Sequence, residues 1–153
     1  MDRVKERLLT FLREHKVLTL AVVDGDGSTY ATALFYAVDE DLRFYVVTDP
    51  ATHHGQAMLA NGTVAGAIQL DRQQWHEITG VQFRGRCWQL AGEQRRRAWE
   101  IYTARFPFLL QGNATLTAEL AKTAMWCIEP EWMRLIDNRL GFGHKEEWRR
   151  HRS

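Results

Sequence analysis

The sequence predicts a mainly β protein, an antiparallel barrel with flanking helices, on three observations. Short β-branched and aromatic runs, VLTLAVV, STYATALFYAV and LRFYVVT, follow one another through the tight polar turns DGDG and DED, the pattern of successive hairpins. Repeated hairpins leave strand edges exposed unless the sheet closes, or nearly closes, on itself. Gly80 and Gly85 interrupt the longest predicted strand, as bends at barrel corners require.

Each element follows from local pattern. Residues 2–15 open with the capping-type Asp2 and repeat Val4, Leu8, Phe11 and Leu12 at helical spacing, which predicts an amphipathic helix over an open end of the sheet. Residues 16–23 form an apolar strand, and Asp24-Gly25-Asp26-Gly27 supplies the positive φ that a hairpin turn needs. Read as a calcium loop, DGDG lacks the later ligands and the closing Glu. Residues 28–38 and 42–48 are the next strands. Asp49-Pro50 then breaks the chain, and Thr52 caps a short helix bearing Ala57, Met58 and Leu59 that Asn61-Gly62 ends. Strands are expected over 63–70 and 77–90, with a polar loop at 71–75 between them. A helix over 93–106 packs through Ala98, Ile101, Tyr102 and Phe106, and Pro107 stops it. Residues 108–122 read as loop and a short helix that Thr115 caps. Residues 123–137 return to strand, with Glu129-Pro130 at a break or an edge.

The chain has 153 residues, 45% hydrophobic and 25% charged, which suits a single domain: the helix at 2–15, a barrel over about 16–137 and a C-terminal segment at 138–153. A formal net charge of +1 gives no reason to expect nucleic acid or an anionic membrane, and the tail cations Lys145, Arg149, Arg150 and Arg152 read as solvated. No apolar run approaches the ~20 residues of a membrane span, and MDRVKERLL is not a secretory signal, so a cytoplasmic location is expected. Cys87 and Cys127 have neither metal-ligand nor disulfide-framework spacing and read as reduced, semi-buried strand residues.

The stretch DLRFYVVTDPATHHGQAMLANGTVAGAIQL joins a strand to a capped helix start and then to a second strand. It places free backbone N–H groups beside His53 and His54, where an anion such as phosphate would bind. Taken with ITGVQFRG, YTARFP and DNRLGFGHKEEW, in that order, this layout resembles the flavin-binding split barrel of the pyridoxamine 5'-phosphate oxidase-like superfamily, and within it the small YhbP-like branch. The resemblance covers most of the chain. It implies an antiparallel split β-barrel and a homodimer holding FMN between its subunits. The implied activity is that of a flavin-dependent oxidoreductase whose small-molecule substrate the sequence does not name. Fold alone does not fix function.

The same resemblance carries over to residues. It implies phosphate contacts from Thr48, Thr52, His53 and His54, and a ring lying along the strand Thr32, Ala33, Leu34 and Phe35 and beside Val47. Gln82 would reach the flavin across the subunit boundary, and Lys145 in GFGHK would add charge. Where relatives commonly carry Arg or Lys, this chain has histidines, whose ordinary pKa of ~6.5 leaves them mostly neutral at neutral pH. Flavin binding is therefore expected to strengthen in mild acid. No catalytic side chain is assigned, because a flavin carries its own electron chemistry. Phe35 and Tyr36 also read as barrel packing, GFGHK as a chain reversal, and Arg105 and Asp137-Asn138 have no derivable role.

Other readings stay open at this point. Adjacent histidines diverge and cannot chelate one ion, so no metal site is expected. Haem needs a single histidine and is the alternative cofactor, held by a carrier without turnover. A dimeric interaction module is the third reading. No nucleophilic triad stands out.

Overall fold

A computed structural model describes residues 2–71 and 73–151. Arg152, grouped above with the solvated tail, lies outside them, as does Arg72 of the polar loop. Four helices, α1 (Arg3–Arg13), α2 (His53–Ala60), α3 (Gly92–Arg105) and α4 (Ala114–Leu120), flank one sheet. Its strands are β1 (Val17–Val23), β2 (Thr29–Phe35), β3 (Ala37–Val38), β4 (Phe44–Thr48), β5 (Thr63–Gln69), β6 (Thr79–Gln89), β7 (Ala124–Asp137) and β8 (Lys145–Arg149).

The strands pair antiparallel in the order β2-β1-β5-β6-β7-β4-β3, with β8 added to β7. The two ends of that order are halves of one segment. β2 pairs with β1, and after Tyr36 the chain passes to β4 as β3, so the circuit closes through covalent chain. Tyr36 fixes this crossing: its N–H donates to Lys16 O at 3.0 Å and its hydroxyl to Leu12 O at 2.7 Å, beneath α1. The expected single strand at 28–38 is thus two, because its two halves serve different neighbours.

Alternation sorts side chains between two layers. Leu18, Leu20, Val22, Phe44, Val46, Val64, Val81 and Phe83 fill the barrel, which α1 closes with Leu8, Phe11 and Leu12. On the other side of β4 and the first half of β7, α3 buries Ala98, Tyr102 and Phe106 against Met125 and Cys127. β7 is therefore covered on both faces over residues 124–128.

Several expectations change. Asn113 rather than Thr115 caps α4, its carboxamide oxygen accepting from the Leu116 N–H at 2.9 Å. Gly80 pairs regularly with Gln69 and Ile136, whereas the register shifts at Gly85, where a Cβ would lie 2.1 Å from Glu129 O. The C-terminal segment contributes β8. GFGHK is the chain reversal into it, with Gly141 and Gly143 at positive φ and the Asp137 N–H donating to His144 O. Arg150 is not solvated. Its guanidinium donates to Pro130 O at 2.8 Å and Asp41 O at 2.9 Å, tying the tail to the turn before β4. Arg105 likewise donates to His15 O at 3.0 Å, and buried Asp137 binds Arg7 at 3.2 Å and Arg139 at 2.9 Å.

Candidate functional site

The junction of β4 and α2 is the most constrained polar feature of the barrel mouth. β4 alternates Phe44, Val46 and Thr48 inward, so its last residue delivers a hydroxyl to the end of the core. The chain then turns at Asp49-Pro50. The Thr52 hydroxyl donates to Asp49 O at 2.7 Å and accepts from the Gly55 N–H at 3.1 Å, an N-cap that sets the direction of α2. Gly55 lets the helix start this close to the turn: a Cβ there would stand 2.5 Å from Asp49 O and 2.8 Å from Pro50 Cα.

The two histidines diverge, as neighbours on a helix must. His54 Nε2 lies 2.6 Å from Thr48 Oγ1 and 3.3 Å from Thr52 Oγ1. Because the Thr52 hydroxyl already gives its proton to Asp49 O, it can only accept from the imidazole. This pattern assigns the proton to Nε2 and leaves a lone pair on Nδ1. Burial, and then the neighbouring charge of His53, push the His54 pKa down, so the ring is neutral at neutral pH. His53 turns the other way. Its Nε2 meets the Asp24 carboxylate at 2.9 and 3.0 Å, and its ring rests against Tyr30 with centroids 4.5 Å apart. From sequence, Asp24 has only a turn role and Tyr30 only a place in a strand. The available signal was the DGDG turn, whose first residue hydrogen-bonds Ser28 and faces α2.

The backbone N–H groups of His53 and His54 occupy the first turn of α2, where no helical carbonyl precedes them and the helix dipole is positive. They are the donors left for an anion. Thr48 and Thr52 spend their hydroxyls on positioning His54 and the helix start.

Other predicted site residues lie apart. On β2, Thr32 and Leu34 share the side of β1 that carries Leu20 and Leu18, while Ala33 and Phe35 share the opposite, outer side with Thr19 and Val17. Val47 faces the α3 layer, away from Thr48. Gln82 is exposed on the outer side of β6, three strand spacings from β2, or about 14 Å. Lys145 pairs with Ile136, opposite Gly80, whereas α2 leads into β5 beside Cys87, whose N–H bonds Gly62 O. One chain therefore brings together Thr48, Thr52, His53 and His54 but neither Gln82 nor Lys145. Among the described residues no group of three His, Cys, Asp or Glu side chains is arranged to hold a metal ion, and no helix is long and apolar enough to cross a membrane.

Comparison with known proteins agrees with this architecture. The sequence profile of the family described as Pyridoxamine 5'-phosphate oxidase matches residues 4–137. A UPF0306 protein from Klebsiella pneumoniae (strain 342) is 34% identical over 141 residues, spanning 92% of this chain and 89% of the relative. Among solved structures, a heme binding protein from Mycobacterium smegmatis superposes with a TM-score of 0.77 at 14% identity, over 97% of this chain and 59% of that longer one. HutZ, the heme storage protein from Vibrio cholerae, gives 0.70 at 18% identity, over 85% of this chain and 92% of the other. At such identities the structures speak to fold. The profile match and the UPF0306 relative reach further: the chain belongs to the UPF0306 family of pyridoxamine 5'-phosphate oxidase-like split barrels.

Proposed function

We propose that this protein binds flavin mononucleotide as a homodimer and acts as a flavin-dependent oxidoreductase. The carrying observation is the start of α2, where the first-turn N–H groups of His53 and His54 sit over a capped, glycine-permitted turn. A phosphate fits there through neutral donors. Among the described residues, the groups at the junction able to become cationic are the imidazoles, and His53 already faces Asp24. Protonation of His54 converts the Nδ1 lone pair into a further donor, so the fit improves as pH falls. Bound flavin would supply the electron chemistry, and the chain would hold and orient it.

Support for the dimer comes from an apolar patch at the end of β2. Val17, Phe35, Phe108 and Leu110 are 45%, 52%, 47% and 66% exposed, and Phe35 and Phe108 flank the Phe106 ring. A second copy closing over this end would shield a ring laid along Thr32 to Phe35 and would bring in residues, such as Gln82, that one chain holds elsewhere.

The test is titration of FMN followed by flavin fluorescence, with sedimentation to count subunits. Saturable quenching is expected, several-fold tighter near about pH 5.5 than near about pH 8. Fluorescence unchanged throughout, with a protein that is colourless as purified, would refute the reading. A haem carrier is the second reading, favoured by the two haem-handling proteins whose fold this chain shares. It predicts a Soret band on haem addition that shifts in His53→Ala.

A further inference from the structure

Within one chain, the start of α2 offers an anion no permanent positive charge. His54 is neutral at neutral pH, and His53 spends its Nε2 on Asp24. On the outer face of β6 the balance is reversed. Arg84 has no carboxylate within ion-pair distance among the described residues, and its guanidinium lies 4.8 Å from the centre of the Trp132 ring, which fixes its plane. Arg86 is largely exposed and reaches Glu131 only at 3.9 Å.

A homodimer in which Gln82 reaches the other copy's β2 relates these two places. Strand pairing sets Ala33 level with Thr19, Ala67 and Gln82 and, two residues along, Ala31 level with Ala21, Ala65 and Arg84. These rows alternate with the buried Val22, Val64 and Phe83, so they face out. Turning one copy about a two-fold axis along the strands lays β6 of each over β2 of the other. An axis across the strands would lay β6 over β6 instead. A two-fold rotation carries no translation along its axis, so each row meets its own counterpart. Gln82 then comes over the partner's Ala33, Arg84 over the partner's Ala31, and Arg86 over the partner's Thr29. The alanines project little, which leaves the long arginine side chains to span the about 10 Å between packed sheets.

The charges suit this placement. Thr29 follows the turn in which Asp24 holds His53 and Asp26 has Ser28 as its hydrogen-bond partner. Tyr30, the next residue, carries the His53 ring 4.5 Å from its own. Since β2 ends the strand order, a side chain arriving on its outer face can pass round its free edge toward them. A concavity of about 460 Å³, lined by Ala65, Arg84, Arg86 and Trp132 among others, is the seat that the rotation gives to the partner's β1–β2 hairpin.

We propose that the anion site is built by two copies: α2 of one chain supplies aligned N–H donors, and the partner's Arg84 and Arg86 supply the permanent charge. This rests on the flavin-binding homodimer proposed above and names the residues that complete its phosphate end.

Flavin fluorescence titration of the full chain tests it. Arg84→Gln and Arg86→Gln should each weaken FMN binding by about tenfold, because a charge-assisted hydrogen bond is lost, and both should stay dimeric in sedimentation. A heterodimer reads the crossing directly. A His53→Glu chain sets a carboxylate at its own anion site, while a chain with both Arg84→Gln and Arg86→Gln lacks the charge it gives its partner. Neither homodimer should bind FMN tightly. The heterodimer, isolated through two different tags, should bind one FMN with wild-type affinity, where the intact helix start meets the intact arginines. Three results would each overturn the proposal while leaving the flavin-binding homodimer standing: a heterodimer with no wild-type site, arginine variants that bind FMN like the wild type, or arginine variants that fall to monomers, which would assign the arginines to the subunit contact alone. A wild type that is monomeric, or that leaves FMN fluorescence unchanged, would refute the homodimer reading itself and this proposal with it.

Discussion

Replacing Gly55 by alanine sets two effects of known sign against each other. Alanine is favoured over glycine within a helix by at most about 1 kcal/mol. Against this, the new Cβ would stand 2.5 Å from Asp49 O, where a carbon–oxygen contact needs about 3.3 Å. The helix start must therefore move by about 0.8 Å from a backbone turn that cannot rotate aside. Overpacking of this kind costs about 1–3 kcal/mol. The same movement weakens the bond from the Gly55 N–H to the Thr52 hydroxyl, a cap worth about 1 kcal/mol. Gly55→Ala should accordingly lose about 1–3 kcal/mol net, and with it the alignment of the first-turn donors on which the proposed phosphate site depends. Urea titration followed by far-ultraviolet circular dichroism measures the loss. Gly80→Ala is the control, because its Cβ would meet Ile68 O at an unstrained 3.4 Å. A Gly55→Ala protein as stable as the wild type, or a Gly80→Ala protein equally damaged, would refute this account of the junction.

Two further outcomes follow from titrating groups. The folded His54 holds its proton less tightly than an unfolded histidine, so its contribution to stability is present above about pH 6.5 and is lost as pH falls and the unfolded chain protonates first. The proposed phosphate binding has the opposite linkage, because an anion held at this site would favour the protonated ring. Urea midpoints and FMN affinities measured across this range should move in opposite directions, and His54→Ala should flatten both. At Asp137, the bond from Arg139 holds the carboxyl below the usual carboxylate range, so its stabilisation is present above about pH 4 and lost in acid. Asp137→Asn should cost about 1.5–3 kcal/mol at neutral pH, with the difference from wild type shrinking below about pH 4 in urea titrations.

The elements legible in the sequence were those with local causes. The DGDG turn, the Thr52 cap and the stop at Pro107 each act within a few residues, and each is where its pattern indicates. The features that were not legible depend on partners distant in sequence. KEEWR buries one large residue, Trp148, among charges, and becomes β8 only because the second half of β7 offers it an edge. Tyr36 reads as one more strand residue until Lys16 and Leu12 are seen to hold it at the crossing. At the site, the pair of histidines beside a helix start was visible, but the diversion of His53 to Asp24 was not, since 29 residues separate them. The outer face of β6 did carry a signal. VQFRGRCW alternates, and its polar set, Gln82, Arg84 and Arg86, faces out beside buried Val81, Phe83, Gly85 and Cys87.

β7 hands its outer edge from one neighbour to another partway along. Residues 124–128 bond β4, residues 132–136 bond β8, and β6 runs along the opposite edge through both stretches. Pro130 stands at the changeover, and having no N–H it strands no donor in the gap. Both layers are thereby bolted to a single spar. Neither the α3 side nor the β8 side can peel away as an independent subassembly without fraying the strand that serves the other, so cooperativity in this molecule is a property of its wiring as much as of its core.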